Sequence, residues 1–150
     1  MLKALVAFSI GTLVGLANAD SGLDMLVAIN AVRADTVSLL CRHSELDYAA
    51  RLLAVYLSET RINEETASKM PGLENRIKKQ TLVVTNPDEI YGVGMTTADS
   101  MVGSWKNNFN AVITGNFTFI GVGHVINPDS EFVNYWVVTF ATIQNEACNK

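Results

Sequence analysis

Basic residues are scarce in this chain, and so are the side chains that usually carry chemistry. Eleven Lys and Arg stand against fifteen Asp and Glu over 150 residues, a net charge of −4. Non-specific nucleic-acid binding needs clustered Lys and Arg, so this balance argues against nucleic acid as a partner. The same sign argues against docking on anionic membranes. There are only two histidines, His43 and His124, and two cysteines, Cys41 and Cys148. A zinc site asks for about four N, S or O ligands, or three and a water. No H-x-x-x-H or C-x-x-C pair supplies them. G-x-S-x-G, the elbow of many secreted serine hydrolases, is also missing. Nothing repeats internally, no tract is of low complexity and no linker divides the chain, so its length supports one domain with one core.

What is present begins with MLKALVAFSIGTLVGLANA. One positive charge (Lys3), an apolar run and an Ala17-Asn18-Ala19 ending read as a secretory signal peptide over residues 1–19, cut before Asp20; a membrane anchor is the alternative, which Gly11, Gly15 and the A-x-A ending disfavour. Residues 20–150 are then a single exported domain with no stable membrane anchor, and the expected location is extracellular. In an oxidising compartment Cys41 and Cys148 imply one bridge tying the C-terminal tail to an early segment; two free thiols are the alternative.

Periodicity sets the elements. Met25, Ile29 and Val32 fall at helical spacing. SELDYAARLLAVYLSE is the strongest helix, with Leu46, Ala49, Ala50, Leu53 and Leu57 on one stripe and a Ser44/Asp47 capping box at its start. TRINEETASKMPG reads as loop, with Glu64 and Glu65 solvated, and a further helix begins near Pro71 and runs through LENRIKK. TLVVT reads as a short strand that Asn86-Pro87-Asp88 breaks. Thr96 and Asp99 box the next helix, which carries Ala98, Met101, Val102, Trp105 and Phe109. The last third turns to strand: NFTFIGVGHVI, a turn at NPDS, then EFVNYWVVTFA.

NFTFIGVGHVI contains Gly121-Val-Gly123, but no helix follows. A phosphate loop needs a helix N-terminus behind its glycines. Phe117, Phe119, Gly121 and Gly123 instead share one strand face, so the glycines are expected where another backbone comes close. Ile120, Val122, His124 and Ile126 form the other face. Both faces are apolar, which calls for helices on both sides and predicts a three-layer α/β/α sandwich around a small, mainly antiparallel sheet.

The candidates for chemistry each have a bland reading. Ser100 and Ser104 lie in an amphipathic helix. His43 stands before a helix, as a solvated or capping residue would. His124 sits on an apolar strand face, as a hydrogen-bonded core histidine would. Asn116-Phe-Thr118 fits an N-glycosylation acceptor.

Three segments in order resemble the CAP superfamily, the SCP-domain proteins that include cysteine-rich secretory proteins, antigen 5 and pathogenesis-related proteins. They are LVAINAVR (26–33) with the helix behind it, SMVGSWKNN (100–108), and NFTFIGVG (116–123) followed by YWVVTF (135–140). The resemblance implies an α/β/α sandwich and an extracellular life. It also implies a cleft that in the family holds two histidines and two acidic residues. Here Glu89 takes the first acidic place, Asp99 the second, and Asn108 replaces a histidine; the remaining histidine has no counterpart. Two carboxylates and an amide would hold only a hard cation such as Ca²⁺ or Mg²⁺, and weakly. The implied function is a secreted, non-enzymatic binding protein without a cofactor or catalytic residues, taking a sterol or other small lipid. A divergent metal-dependent hydrolase or protease, or a module recognising another protein, are the alternatives.

Overall fold

A strand apolar on both faces has to be covered twice. In the computed structural model, which describes residues 21–80 and 82–149, helices do so from both sides. The expected signal peptide lies outside the described residues. The elements are α1 (Ser21–Arg33), β1 (Cys41–Arg42), α2 (Ser44–Glu59), α3 (Glu64–Ser68), α4 (Leu73–Lys78), β2 (Val84–Val93), α5 (Ala98–Ile113), β3 (Phe119–Ile126) and β4 (Asn134–Ile143). The sheet order is β1-β3-β4-β2, antiparallel except for the short parallel pairing of β1 with β3. Alternation along β4 divides the core. Trp136, Val138 and Phe140 pack with Ile90, Ile120 and Val122 against α1 and α5. Tyr135, Val137, Ala141 and Ile143 face α2 and α4. This is the expected three-layer sandwich.

The two glycines of β3 set the spacing of one seam. A Cβ on Gly121 would overlap the carbonyl of Leu46 and the amide nitrogen of Asp47, and one on Gly123 would lie 2.6 Å from the carbonyl of Ala50. The α2 backbone rests directly on β3, so side chains are excluded there.

The opposite layer is held by polar side chains of α1. Asn30 both donates to the Leu40 carbonyl (3.0 Å) and accepts from the Leu40 amide (2.8 Å). Arg33 is 1% exposed. Its guanidinium donates to the carbonyls of Ser38, Ile113 and Gly115 at 2.6–2.9 Å. No carboxylate pairs with it among the described residues, and burial pushes its pKa below the ordinary arginine value. Carbonyl dipoles replace a counterion and tie the first helix to the end of α5.

Several local expectations are corrected. α2 is capped by His43, whose Nδ1 accepts from the Glu45 amide, and not by a Ser44/Asp47 box. Asp47 is drawn instead to Arg42 (2.8 Å) and to the Val122 amide (2.7 Å), a partner distant in sequence. Thr97, one residue later than expected, caps α5 by accepting from the Ser100 amide. Asn86-Pro87-Asp88 does not end a strand; the register shift there is a bulge inside a continuous β2, with Asn86 at φ 47°. The polar loop contains the short α3, boxed by Asn63 and Thr66. Phe117 lies before β3 and packs on Phe140 in the α1/α5 layer, not on the glycine face.

The bridge between Cys41 and Cys148 is formed, with a Cα–Cα distance of 5.4 Å and a sequence separation of 107. It fastens the tail to the edge strand β1. His43 Nε2 meets Glu146 Oε2 beside it at 3.1 Å. No helix among the described residues is long and apolar enough to cross a membrane.

Candidate functional site

The three positions expected to line one cleft do not meet. Glu89 points to the α2/α4 side of the sheet, since its neighbour Ile90 packs in the α1/α5 core. There Arg76 Nη2 donates to Glu89 Oε1 at 2.5 Å and Thr139 Oγ1 donates to Oε2 at 2.8 Å. Arg76 is itself 2% exposed and also donates to the carbonyls of Ala49 and Pro71. Glu89 is therefore the counterion of a buried arginine, and a charge so held is costly to leave alone. Asp99 lies across the sheet in the first turn of α5, exposed to solvent. Asn108, exposed on the same helix, is nine residues further on, roughly 13 Å along its axis. Among the described residues no three His, Cys, Asp or Glu side chains converge as metal ligands would.

The serines are also engaged. Ser104 Oγ donates to the Met101 carbonyl within its own helix, and Ser100 Oγ accepts from Thr97 Oγ1. Asn116 is exposed between α5 and β3, where an acceptor asparagine is accessible.

Two concavities stand out among the described residues. The smaller, about 440 Å³, brings Asp24 of α1 and Asp99 of α5 to the edge of His124 and Trp136. The imidazole stacks on the indole with centroids 3.6 Å apart and planes 7° off parallel. Its Nε2 is 3.0 Å from Asn134 Oδ1, and the indole Nε1 donates to the Met95 carbonyl. Burial pushes the His124 pKa down, against the opposing effect of the Asn134 bond. A neutral, stacked imidazole is the outcome, as the apolar strand face suggested.

The larger concavity, about 920 Å³, is a groove on the other layer. Leu57 at the end of α2, Val93 of β2 and Tyr135 of β4 form its floor, and Ile62, Tyr91 and Phe132 rise around it. The β3–β4 connection shapes this wall. EFVN was expected to continue the last strand, yet β4 starts only at Asn134. Val133 has φ 61°, and the Asn134 amide donates back to the Phe132 carbonyl at 2.6 Å. That tight three-residue turn is strained for a β-branched residue. It removes Phe132 from the strand and leaves the ring edge-on to Tyr135, with centroids 6.5 Å apart. The sequence signal was present in the residue types but not in their period. Tyr91 and Phe132 are apolar positions with no helix above them, and a pattern of alternation alone cannot show that.

No protein-family model and no curated protein matches the sequence. Solved structures do. An outer surface protein from Borrelia burgdorferi aligns with a TM-score of 0.67 at 21% identity, over 80% of this chain and 90% of that one. An extracellular protein containing an SCP domain from Bacillus anthracis aligns with a TM-score of 0.68 at 13% identity, over 81% of this chain. A cysteine-rich secretory protein from Staphylococcus aureus aligns with a TM-score of 0.58 at 14% identity, over 82% of this chain. This chain spans 40% of the length of each of the last two. The fold is that of the SCP domain, an α/β/α sandwich.

Proposed function

We propose that this SCP-fold chain is a secreted, non-catalytic binding module that takes a small apolar ligand, a sterol or other small lipid, in the groove between α2, β2 and the β3–β4 connection. The observation that carries the reading is the groove itself. At about 920 Å³ it is as large as sites for small organic ligands, which run to about 1,000 Å³. Aromatic and aliphatic side chains form its floor and part of its wall, within a polar rim, and Ile62, Tyr91 and Phe132 are 44–47% exposed. Apolar surface gathered in one concavity is what an apolar ligand would cover.

The groups that would be needed for catalysis support the non-catalytic half. Glu89 neutralises Arg76, His43 caps a helix, and His124 is stacked and hydrogen-bonded. An extracellular location is supported by the signal-peptide pattern, by the bridge between Cys41 and Cys148, and by neighbours described as extracellular or outer-surface proteins. Titration of the purified protein with a fluorescent sterol and with decanol tests the proposal. Saturable binding of one of them, weakened by Phe132→Ala, is expected. No saturable binding of either overturns it.

A further inference from the structure

The groove carries a sign as well as a shape, and we propose that it selects apolar molecules bearing a positively charged head, a protonated or quaternary amine. The inference rests on the groove being the binding site. Its rim holds three carboxylates, Glu59, Asp129 and Glu131, against one guanidinium, Arg61. None of the three carboxylates forms an ion pair among the described residues, so with three negative charges against one positive the rim stays net negative toward the groove and solvent.

The walls reinforce the rim. The face of an aromatic ring attracts a cation through its quadrupole, and Tyr91 and Phe132 are both half exposed here. Phe132 follows Glu131 directly, and the strained turn at Val133 holds its ring out of β4. One connection thus brings an aromatic face and two carboxylates to the same lip. An apolar body would lie on Leu57, Val93 and Tyr135 while its head meets that lip. A neutral head gains only the apolar part, and an anionic head is repelled.

Calorimetric titration with decyltrimethylammonium, decanol and decyl sulfate, each below its micelle concentration, separates these cases. The ammonium is expected to bind about ten-fold tighter than decanol, with the sulfate weakest. Removing the rim charges with E59Q/D129N/E131Q should bring the ammonium to within about two-fold of decanol. D24N/D35N/E74Q removes the same number of charges from exposed positions elsewhere and should leave the ranking intact. Loss of the ranking in both triple variants, or in neither, overturns the inference, as does equal binding of ammonium and decanol to the unmodified protein. Equal binding leaves the groove standing as an apolar site. Absence of saturable binding by all three probes overturns the groove reading and the inference with it.

Discussion

Gly121→Ala is the smallest change that should damage this fold severely. The added methyl would sit inside the Leu46 carbonyl and against the Asp47 amide. These are backbone atoms in the first turns of α2, and they cannot rotate aside as a side-chain tip would. Ordinary contact is 3.4–4 Å, so the helix must retreat from β3. It is held against that retreat by the Asp47 bond to the Val122 amide, by the His43 amide bond to the Ile120 carbonyl, and by Arg76 gripping the Ala49 carbonyl. Overpacking costs about 1–3 kcal/mol, and a rigid backbone obstacle belongs at the upper end. Restricting the unfolded chain returns roughly 0.5–1 kcal/mol. The net loss is about 2–2.5 kcal/mol, a fall in Tm of roughly 6–10 °C for a domain of this size. Gly103 is the control: nothing lies within 4 Å of its added Cβ, and it sits inside α5. Gly103→Ala should stabilise by roughly 0.5–1 kcal/mol through helix propensity alone. Urea denaturation of both variants decides the matter. A Gly121→Ala protein as stable as the parent would refute the close helix–strand contact.

Glu89→Ala should cost about 3–5 kcal/mol, because the buried Arg76 is left without its counterion; chemical denaturation measures this, and ligand titration should show unchanged affinity in the protein that remains folded. His124 titrates lower folded than unfolded, so the unfolded state binds the extra proton and stability falls as pH drops through the ordinary histidine value of 6.5. That decline should be smaller in His124→Gln, as seen from melting temperatures collected across the acid range. Reducing the bridge, or replacing it with C41S/C148S, removes closure of a loop with a sequence separation of 107 and should cost up to about 4.7 kcal/mol in the chain-entropy picture, read from guanidinium denaturation with and without reductant.

The framework was legible wherever period and composition coincide. The α2 and α5 stripes, the two-faced β3 and β4, and the closeness demanded by Gly121 and Gly123 all follow from spacing, and the sandwich follows from them. Boundaries were less legible because tertiary partners overrode local ones. Asp47 left its expected box for Arg42 and the Val122 amide, and His43 took the cap. β1 is two residues long and exists through its pairing with β3, which no local pattern shows. The expected cleft failed for a reason of strand parity. Glu89 lies next to Ile90, so it must face away from the α5 layer that carries Asp99 and Asn108. The groove was invisible because exposure of Tyr91 and Phe132 depends on what does not cover them, and because Val133 interrupts an otherwise ideal strand sequence.

The most direct test of the account is an amide-shift map of the isotope-labelled protein titrated with decanol. Progressive, saturable shifts in Leu57–Ile62, Tyr91–Val93 and Asn127–Tyr135, the residues around the groove, are the predicted result. Shifts gathered instead at Asp24, Asp99 and His124, or none at all, would contradict it.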